Sequence, residues 1–506
     1  MEIYFYPHRR LVTAGILVCM YLASMESTVV TTAMPTIITR LGGLEIYSWV
    51  FSIYLLTATV SIPVWGRLSD LYGRRRLYLI GIATFVAASA LCGLAASMLQ
   101  LILFRALQGI GAGALGPLAL TVIGEIYTFD ERAHMQAVFS GVFGFASITG
   151  PILGGFITDN LSWRWVFFIN IPIGLLAGTL IGLYLVDSIT DERENRAGIR
   201  RGILMALSLA LFLLYLMEGS NDNNWLNWRL LALMLLSVML FWLYVALERK
   251  SKHPFIPPKL FGSKTFLAAS ANGICIGMIF FGVLVFVPLF SQAVVGRSAT
   301  GAGSVITPLL LTWVSFSIIL GRLLRRVGFR KPVFCGMLLL IMGTLVLAEL
   351  GSNPSRTSIV ISMICIGAGL GLNALPMLMA VQCAVPRDLL GIATSATQFF
   401  RSIGGAIGVA IMGSRLSSSV TRAVQRNPDS EIARLLRNPQ TLAQSGQAAT
   451  ADNAKILHDI LYNALHSAFF VAFIFSLIAF LSAFLVPREI EKMLQESEVE
   501  VPPILE

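Results

Sequence analysis

Charge is scarce in this chain. Asp, Glu, Lys and Arg make up 13% of its 506 residues, about half their share in a soluble domain. Hydrophobic residues make up 56%, with 44 Gly and 31 Phe. So few charges cannot cover so much apolar surface in water. A string of soluble domains is excluded, and a polytopic membrane protein is implied. Cysteine is scarce too. Cys19, Cys92, Cys275, Cys335, Cys365 and Cys383 all lie inside apolar runs, which argues against a disulfide framework or a zinc site. HExxH, CxxC and a nucleophile elbow are missing, as is GxxxxGK[ST]. No metal, no cofactor and no ATP chemistry is expected of the chain itself. Enzyme action is disfavoured, and an ion gradient is the simpler energy source.

What is present is a series of apolar runs. A spanning helix needs about 20 such residues. Fourteen candidates occur, at 10–36, 48–66, 77–96, 99–125, 135–158, 165–187, 202–219, 229–247, 266–292, 300–321, 332–350, 357–383, 389–414 and 463–486. The first follows His8, Arg9 and Arg10 like a signal peptide. It runs past Met25 and is read as a retained helix. The net charge of +10 sits in short loops between the runs, which points to membrane orientation and not to nucleic acid. With the termini inside, the inner segments hold 24 Lys and Arg and the short outer loops hold five. Both termini are therefore expected to be cytoplasmic, in a cell (inner or plasma) membrane.

The sequence also repeats. GRLSDLYGRRR at 66–76 returns as GRLLRRVGFRK at 321–331, and SITG at 147–150 as SIGG at 402–405, both 255 positions on. IGAG at 110–113 recurs at 366–369, 256 positions on. Two six-helix halves follow, 1–187 and 266–488, with two inserted helices in 188–265. Parallel halves of this kind define a large transporter architecture. A long outer hairpin at 415–462, with short helices around 430–444, and an acidic inner tail at 489–506 complete the expected layout.

Five stretches carry a resemblance: MESTVVTTAMPTI at 25–37, GRLSDLYGRRR at 66–76, RALQGIGAGALGP at 105–117, GFASITGPILGG at 144–155 and WRWVFFINIPIG at 163–174. They resemble the major facilitator superfamily, and within it the fourteen-helix drug:proton antiporters. The resemblance implies an all-α fold of two six-helix halves plus two inserted helices. It also implies proton-coupled export of amphipathic or cationic small organic compounds. Export of one endogenous metabolite or lipid is the nearest alternative; a membrane receptor or an enzyme on the same scaffold is a remote one.

Glu26 stands out among single residues. It lies about 16 residues into the first span, roughly 24 Å up a core about 30 Å thick. An intramembrane carboxylate is costly, and burial disfavours its charged form, so it can load and release a proton. Without a transport role it would be a glutamate held neutral by a neighbouring hydroxyl. The resembled family usually has aspartate here. Arg105 lies at a similar depth, about 21 Å from the inner face. It needs a partner, either Glu26 or backbone carbonyls. The resemblance associates it with proton coupling, and Gln108, one turn on, can orient it.

Asp70 with Arg74 and Arg75 forms an inner loop in which Gly66 and Gly73 permit close approach and a sharp turn. Asp70 can cap a helix N-terminus and pair with arginine, as a conformational latch would; topology signalling alone is the alternative. The second copy has Arg325 there, so the latch is one-sided. Gly144, Gly150, Pro151, Gly154 and Gly155 are read as interrupting the fifth span, as an antiporter hinge or a tight seam against the second half. Gln398 and Arg401 are candidates for a cavity. Met20, Met25, Trp49, Phe51, Tyr54, Trp65, Phe139, Phe143 and Phe286 are weaker ones. Gly111, Gly113 and Gly116 spell GxGxxG, but without a preceding strand this is rejected as a dinucleotide site.

Overall fold

The computed structural model describes residues 8–42, 46, 49–186, 196–222, 227–251, 254, 257–295, 304–351, 354–386, 389–426 and 451–484. Among these there are helices and no strand. Lipid offers the backbone no hydrogen-bonding partner, so apolar runs satisfy themselves as helices. The first half of the chain gives α1 (Arg9–Leu41), α2 (Trp49–Tyr72), α3 (Arg74–Leu94), α4 (Met98–Ile126), α5 (Phe129–Asn160), α6 (Trp165–Phe168) and α7 (Asn170–Tyr184). Then come α8 (Arg196–Asp222), α9 (Trp228–Arg249), α10 (Pro258–Gly262) and α11 (Lys264–Ala293). After a 3₁₀ turn follow α12 (Thr307–Val327), α13 (Arg330–Ala348), α14 (Arg356–Ala384), α15 (Leu390–Arg426) and α16 (Ala451–Ala483). The expected hairpin helices at 430–444 and the tail at 489–506 lie outside the described residues.

Among the described residues, twelve helical segments are long and apolar enough to cross a membrane. They match twelve of the fourteen expected spans. The other two, 135–158 and 389–414, fall in α5 and α15. These helices have 32 and 37 residues, ample to span, but they are not among the twelve. Two local details differ from expectation. The Gly-Pro stretch does not interrupt the fifth span, because α5 is one helix from Phe129 to Asn160. A proline costs one backbone bond, and in lipid the rest of the helix has no competing partner. In the sixth span the hydrogen-bond ladder lapses at Ile169, between α6 and α7, while Ile169 keeps helical angles of φ −59° and ψ −25°. Pro172 lies just beyond; it has no N–H, so the carbonyl of Phe168 loses its helical partner.

The chain divides into two compact units. One comprises Met1–Leu211, Leu236–Ser263 and Val381–Phe399; the other comprises Phe212–Leu235, Lys264–Ala380 and Phe400–Glu506. The repeat is visible inside each. In the first unit, α4 presses glycines against α2 and α3. A Cβ at Gly109 would overlap Thr57 and the carbonyl of Tyr54, one at Gly113 would overlap Ser61 and the carbonyl of Ala58, and one at Gly111 would overlap Phe85. In the second unit, α14 meets α12 and α13 through the corresponding atoms. Gly367 abuts Thr312 and the carbonyl of Leu309, Gly371 abuts the carbonyl of Trp313 and Phe316, and Gly369 abuts Leu340. The partners on α2 and α12 are 255 positions apart, whereas the glycines of α4 and α14 are 258 apart. The IGAG identity at 256 is therefore out of structural register by two. The loop glycines Gly73 and Gly328, again 255 apart, both have positive φ, at 93° and 73°. Glycine reaches that region without steric cost.

Helices α8 and α9 are each divided between the two units, at Leu211 and Leu236, and their first-unit portions are tied to each other. Arg201 Nε lies 3.1 Å from the Glu248 carboxylate, and Ser237 Oγ donates to the carbonyl of Ser208 at 2.8 Å. On α9 the side chains of Trp228, Leu235 and Trp242 are about 70% exposed, as lipid-facing groups are in the absence of lipid.

Candidate functional site

The first unit encloses a polar cluster in an otherwise apolar core. Met25 and Val29 of α1, Leu101 of α4 and Val166 and Phe167 of α6 pack around it. At its centre are Glu26, Arg105, Gln108 and Asn170, all essentially inaccessible to solvent. Arg105 Nη1 donates to Glu26 Oε1 at 2.5 Å and to Gln108 Oε1 at 2.8 Å. Its Nε donates to the carbonyl of Val50 at 3.2 Å, and its guanidinium lies 4.0 Å over the Tyr54 ring. Asn170 Nδ2 donates to Glu26 Oε2 at 2.5 Å and to Ser89 Oγ at 2.9 Å. Ser89 in turn donates to the carbonyl of Phe167 at 2.9 Å. Each carboxylate oxygen of Glu26 thus faces a donor. The arginine is held by an ion pair, a carbonyl, an amide and an aromatic face, which is how a buried guanidinium becomes tolerable.

Sequence reasoning placed Glu26 and Arg105 at similar depth and named Gln108 beside them. The structure brings all three together. It adds Asn170 and Ser89, which that reasoning missed. Their signal was faint: an asparagine inside an apolar run, two residues before a proline. Among its described residues the second unit has no equivalent ion pair. By the offsets seen at the glycine contacts, Met363 stands where Arg105 is.

A second constellation lies at the end of α2. Asp70 is 8% exposed and forms an ion pair with Arg74. Its Oδ1 accepts from the Gly391 amide at 3.1 Å and its Oδ2 from the Ile392 amide at 2.8 Å. Those amides belong to the first turn of α15, whose free N–H groups and dipole favour an anion. Arg74 also donates to Ser69 Oγ at 2.7 Å and, through Nε, to Glu125 Oε1 at 2.8 Å. Close approach is essential. A Cβ at Gly66 would overlap Ser395, and one at Gly391 would overlap Asp70 and Arg74. Arg75 is exposed, so the guanidinium inside this cluster is that of Arg74. Glu125 was not foreseen.

At the Gly-Pro stretch, a Cβ at Gly150 would overlap Thr28 of α1, whereas one at Gly155 would meet nothing within 4 Å. The tight contact at Gly150 is thus with α1 of the same unit. Gly144 lies on the same unbroken helix; the Gly154 carbonyl accepts from Thr158 Oγ1 at 2.6 Å. Gln398 and Arg401 are partly buried on α15, with the Arg401 carbonyl packed on Gly277 of α11. Of the weaker cavity candidates, Met25, Trp65, Phe139 and Phe286 are buried. Trp65 donates its indole N–H to the carbonyl of Ile110 at 2.7 Å. Gly111 and Gly113 serve helix packing, and a Cβ at Gly116 would meet nothing within 4 Å. Among the described residues no group of His, Cys, Asp and Glu could hold a metal ion.

A helical protein with this internal repeat and a buried ion pair within its first unit fits a membrane transporter. The model of the Major Facilitator Superfamily matches residues 16–409, and the chain belongs to that family of multi-pass transporters. The Multidrug transporter protein MdtP of Bacillus subtilis (strain 168) is 39% identical over 412 residues, 81% of this chain and 76% of that one. Multidrug resistance protein 3 of the same organism is 32% identical over 452 residues, covering 88% of each. The fold is shared with the human organic anion transporter MFSD10 (TETRAN). The two align with a TM-score of 0.63 at 14% identity, over 95% of this chain and 100% of that one. The proton:xylose symporter XylE aligns with a TM-score of 0.61 at 13% identity, over 96% and 97% of the two chains.

Proposed function

We propose that this chain is a proton-coupled exporter of small organic compounds, of the multidrug efflux type. The observation that carries the coupling is the enclosed Glu26–Arg105 pair, the kind of intramembrane charge that membrane proteins keep for function. The export direction and the breadth of substrates rest on relatives named multidrug transporter and multidrug resistance protein. Amphipathic or cationic compounds leave as protons enter, without ATP.

In this reading Glu26 is ionised when paired with Arg105. A proton arriving on the carboxylate cancels that pairing and alters the relative stability of the outward- and inward-facing states. Gln108 keeps the arginine oriented in either state. Asp70, Arg74, Gly66 and Gly73 form a latch that holds the start of α15 in one state and releases it in the other; Arg75 adds charge at its rim. Gly144, Gly150, Pro151, Gly154 and Gly155 form the antiporter hinge in α5. Gln398 and Arg401 face the substrate. Fourteen spans are arranged as two six-helix halves, 1–187 and 266–488. The inserted pair lies outside the pathway, and both termini face the cytoplasm of a cell (inner or plasma) membrane.

Everted vesicles under an imposed pH gradient test the proposal. Adding compounds from a chemically varied panel should trigger proton release for several of them. No release over the whole panel, with transport intact, would refute proton-coupled multidrug export.

A further inference from the structure

Arg105 and Glu26 make one side of the cradle; the other side is Asn170, and it rests on a different support. Asn170 is the first residue of α7, immediately after the lapse in hydrogen bonding at Ile169. Its amide nitrogen sits between Glu26 Oε2 and Ser89 Oγ, at 2.5 and 2.9 Å. Ser89 is anchored by its own bond to the carbonyl of Phe167, beside the same lapse. Three elements thus fix one amide against one carboxylate oxygen: α7 carries it, α3 supports it and α6 supplies the terminal acceptor. The arrangement has a cost. Asn170 Oδ1 is buried with no hydrogen-bonding partner. Gln108 Nε2 of the same cluster is also without a partner; what sets Asn170 apart is that its amide nitrogen donates to both Glu26 and Ser89. The amide is oriented for what it gives to Glu26.

We propose that Asn170 is a positioning residue for the proton site, and that it sets the pH at which Glu26 exchanges its proton. This rests on the reading of Glu26 as the coupling acid. An N–H donor aimed at Oε2 favours the ionised carboxylate and opposes the carboxylic acid. The other charged or titratable groups near the acid are Arg105 of α4, whose guanidinium touches Oε1, Tyr54 of α2 beneath that guanidinium, and Cys92 of α3. The Cys92 thiol donates to Gln108 Oε1 at 3.7 Å. All of these stay in place when Asn170 is changed. The exchanged proton is carried by the Glu26 carboxylate; Asn170 neither gains nor loses one.

The test is infrared difference spectroscopy of the purified transporter across pH, following the carboxylic acid carbonyl band that disappears in Glu26→Gln. In Asn170→Ala the midpoint of that band should move upward by about one to two pH units, a tenfold to hundredfold gain in proton affinity. The pH profile of efflux should follow it. Asn170→Ser, whose hydroxyl donates with a shorter reach, should give a smaller upward shift. Ser89→Ala leaves the donor on Glu26 and should move the midpoint least. A folded Asn170→Ala with an unmoved midpoint would overturn the inference and leave the coupling role of Glu26 standing; if Asn170→Ala does not fold, an unmoved midpoint in Asn170→Ser does the same. A wild-type protein in which no Glu26-dependent band titrates would overturn the coupling reading, and this inference with it.

Discussion

Asp70→Asn perturbs the proposed latch with almost no change of shape. The wild-type carboxylate accepts from two backbone amides of α15, at 3.1 and 2.8 Å, and pairs with Arg74. Asparagine keeps one acceptor oxygen, so one amide loses its partner, and the ion pair with Arg74 is lost. Arg74 keeps Glu125 and Ser69, so the cluster is weakened and not dismantled. Charge-assisted bonds contribute about 1.5–3 kcal/mol each. The substitution should therefore cost the start of α15 about 3 kcal/mol, and opening there should become roughly a hundredfold more frequent. Hydrogen exchange reads this directly: peptides containing Gly391 and Ile392 should exchange about a hundredfold faster, while those from α4 stay unchanged. Transport should slow and substrate affinity should hold, because the change acts on the equilibrium between states and not on a binding contact. Unaltered exchange at Gly391 and Ile392 would refute the reasoning. So would a large loss of affinity with normal populations of the two states.

The other predictions are shorter. Gly113→Ala should cost about 1–3 kcal/mol, read as a lower melting temperature in detergent, because the new Cβ would overlap Ser61 and the Ala58 carbonyl; Gly116→Ala, where a Cβ meets nothing, should melt like the wild type. Arg105→Lys should lose most transport although the charge survives, since an ammonium cannot reach Glu26, Gln108 and the Val50 carbonyl as the planar guanidinium does; normal efflux would refute this. Glu248→Ala should lower thermal stability by breaking the pair with Arg201 while leaving efflux within about twofold, since removing one partner of a buried pair costs stability wherever it lies. A selective loss of efflux there would bring α8 and α9 into the pathway.

The legible part of this molecule was what lipid makes expensive. Twelve apolar helices could be read because a backbone in lipid must bond to itself. Glu26 and Arg105 could be read because intramembrane charges are rare, and simple depth arithmetic put them side by side. Asn170 and Ser89 could not, because small polar residues recur throughout such helices and only their partners distinguish them. The proposed latch was half legible. GRLSDLYGRRR announced an acid able to cap a helix, but the helix it meets begins 320 residues later, and although a span was expected from 389, nothing in it points back to Asp70. The glycine repeat misled by two positions: IGAG matches at 256, while the contacts with α2 and α12 align the two copies at 258. Close helix contact selects for small residues at the seam, so a short glycine string can match out of register. Pro151 misled in the other direction, since α5 continues through it.

The most direct test of the account is proton release on substrate addition to everted vesicles carrying Glu26→Gln. Glutamine keeps the size and much of the hydrogen bonding of the acid but cannot titrate, and it relieves the cost of an intramembrane charge, so the variant should fold. Glu26→Asp, which retains the acid with a shorter reach, should show partial release. The account predicts that Glu26→Gln, though inserted and folded, releases no protons and builds no substrate gradient under an imposed pH difference. Wild-type efflux with unchanged pH dependence in Glu26→Gln would contradict it, and would make the pair with Arg105 a structural one.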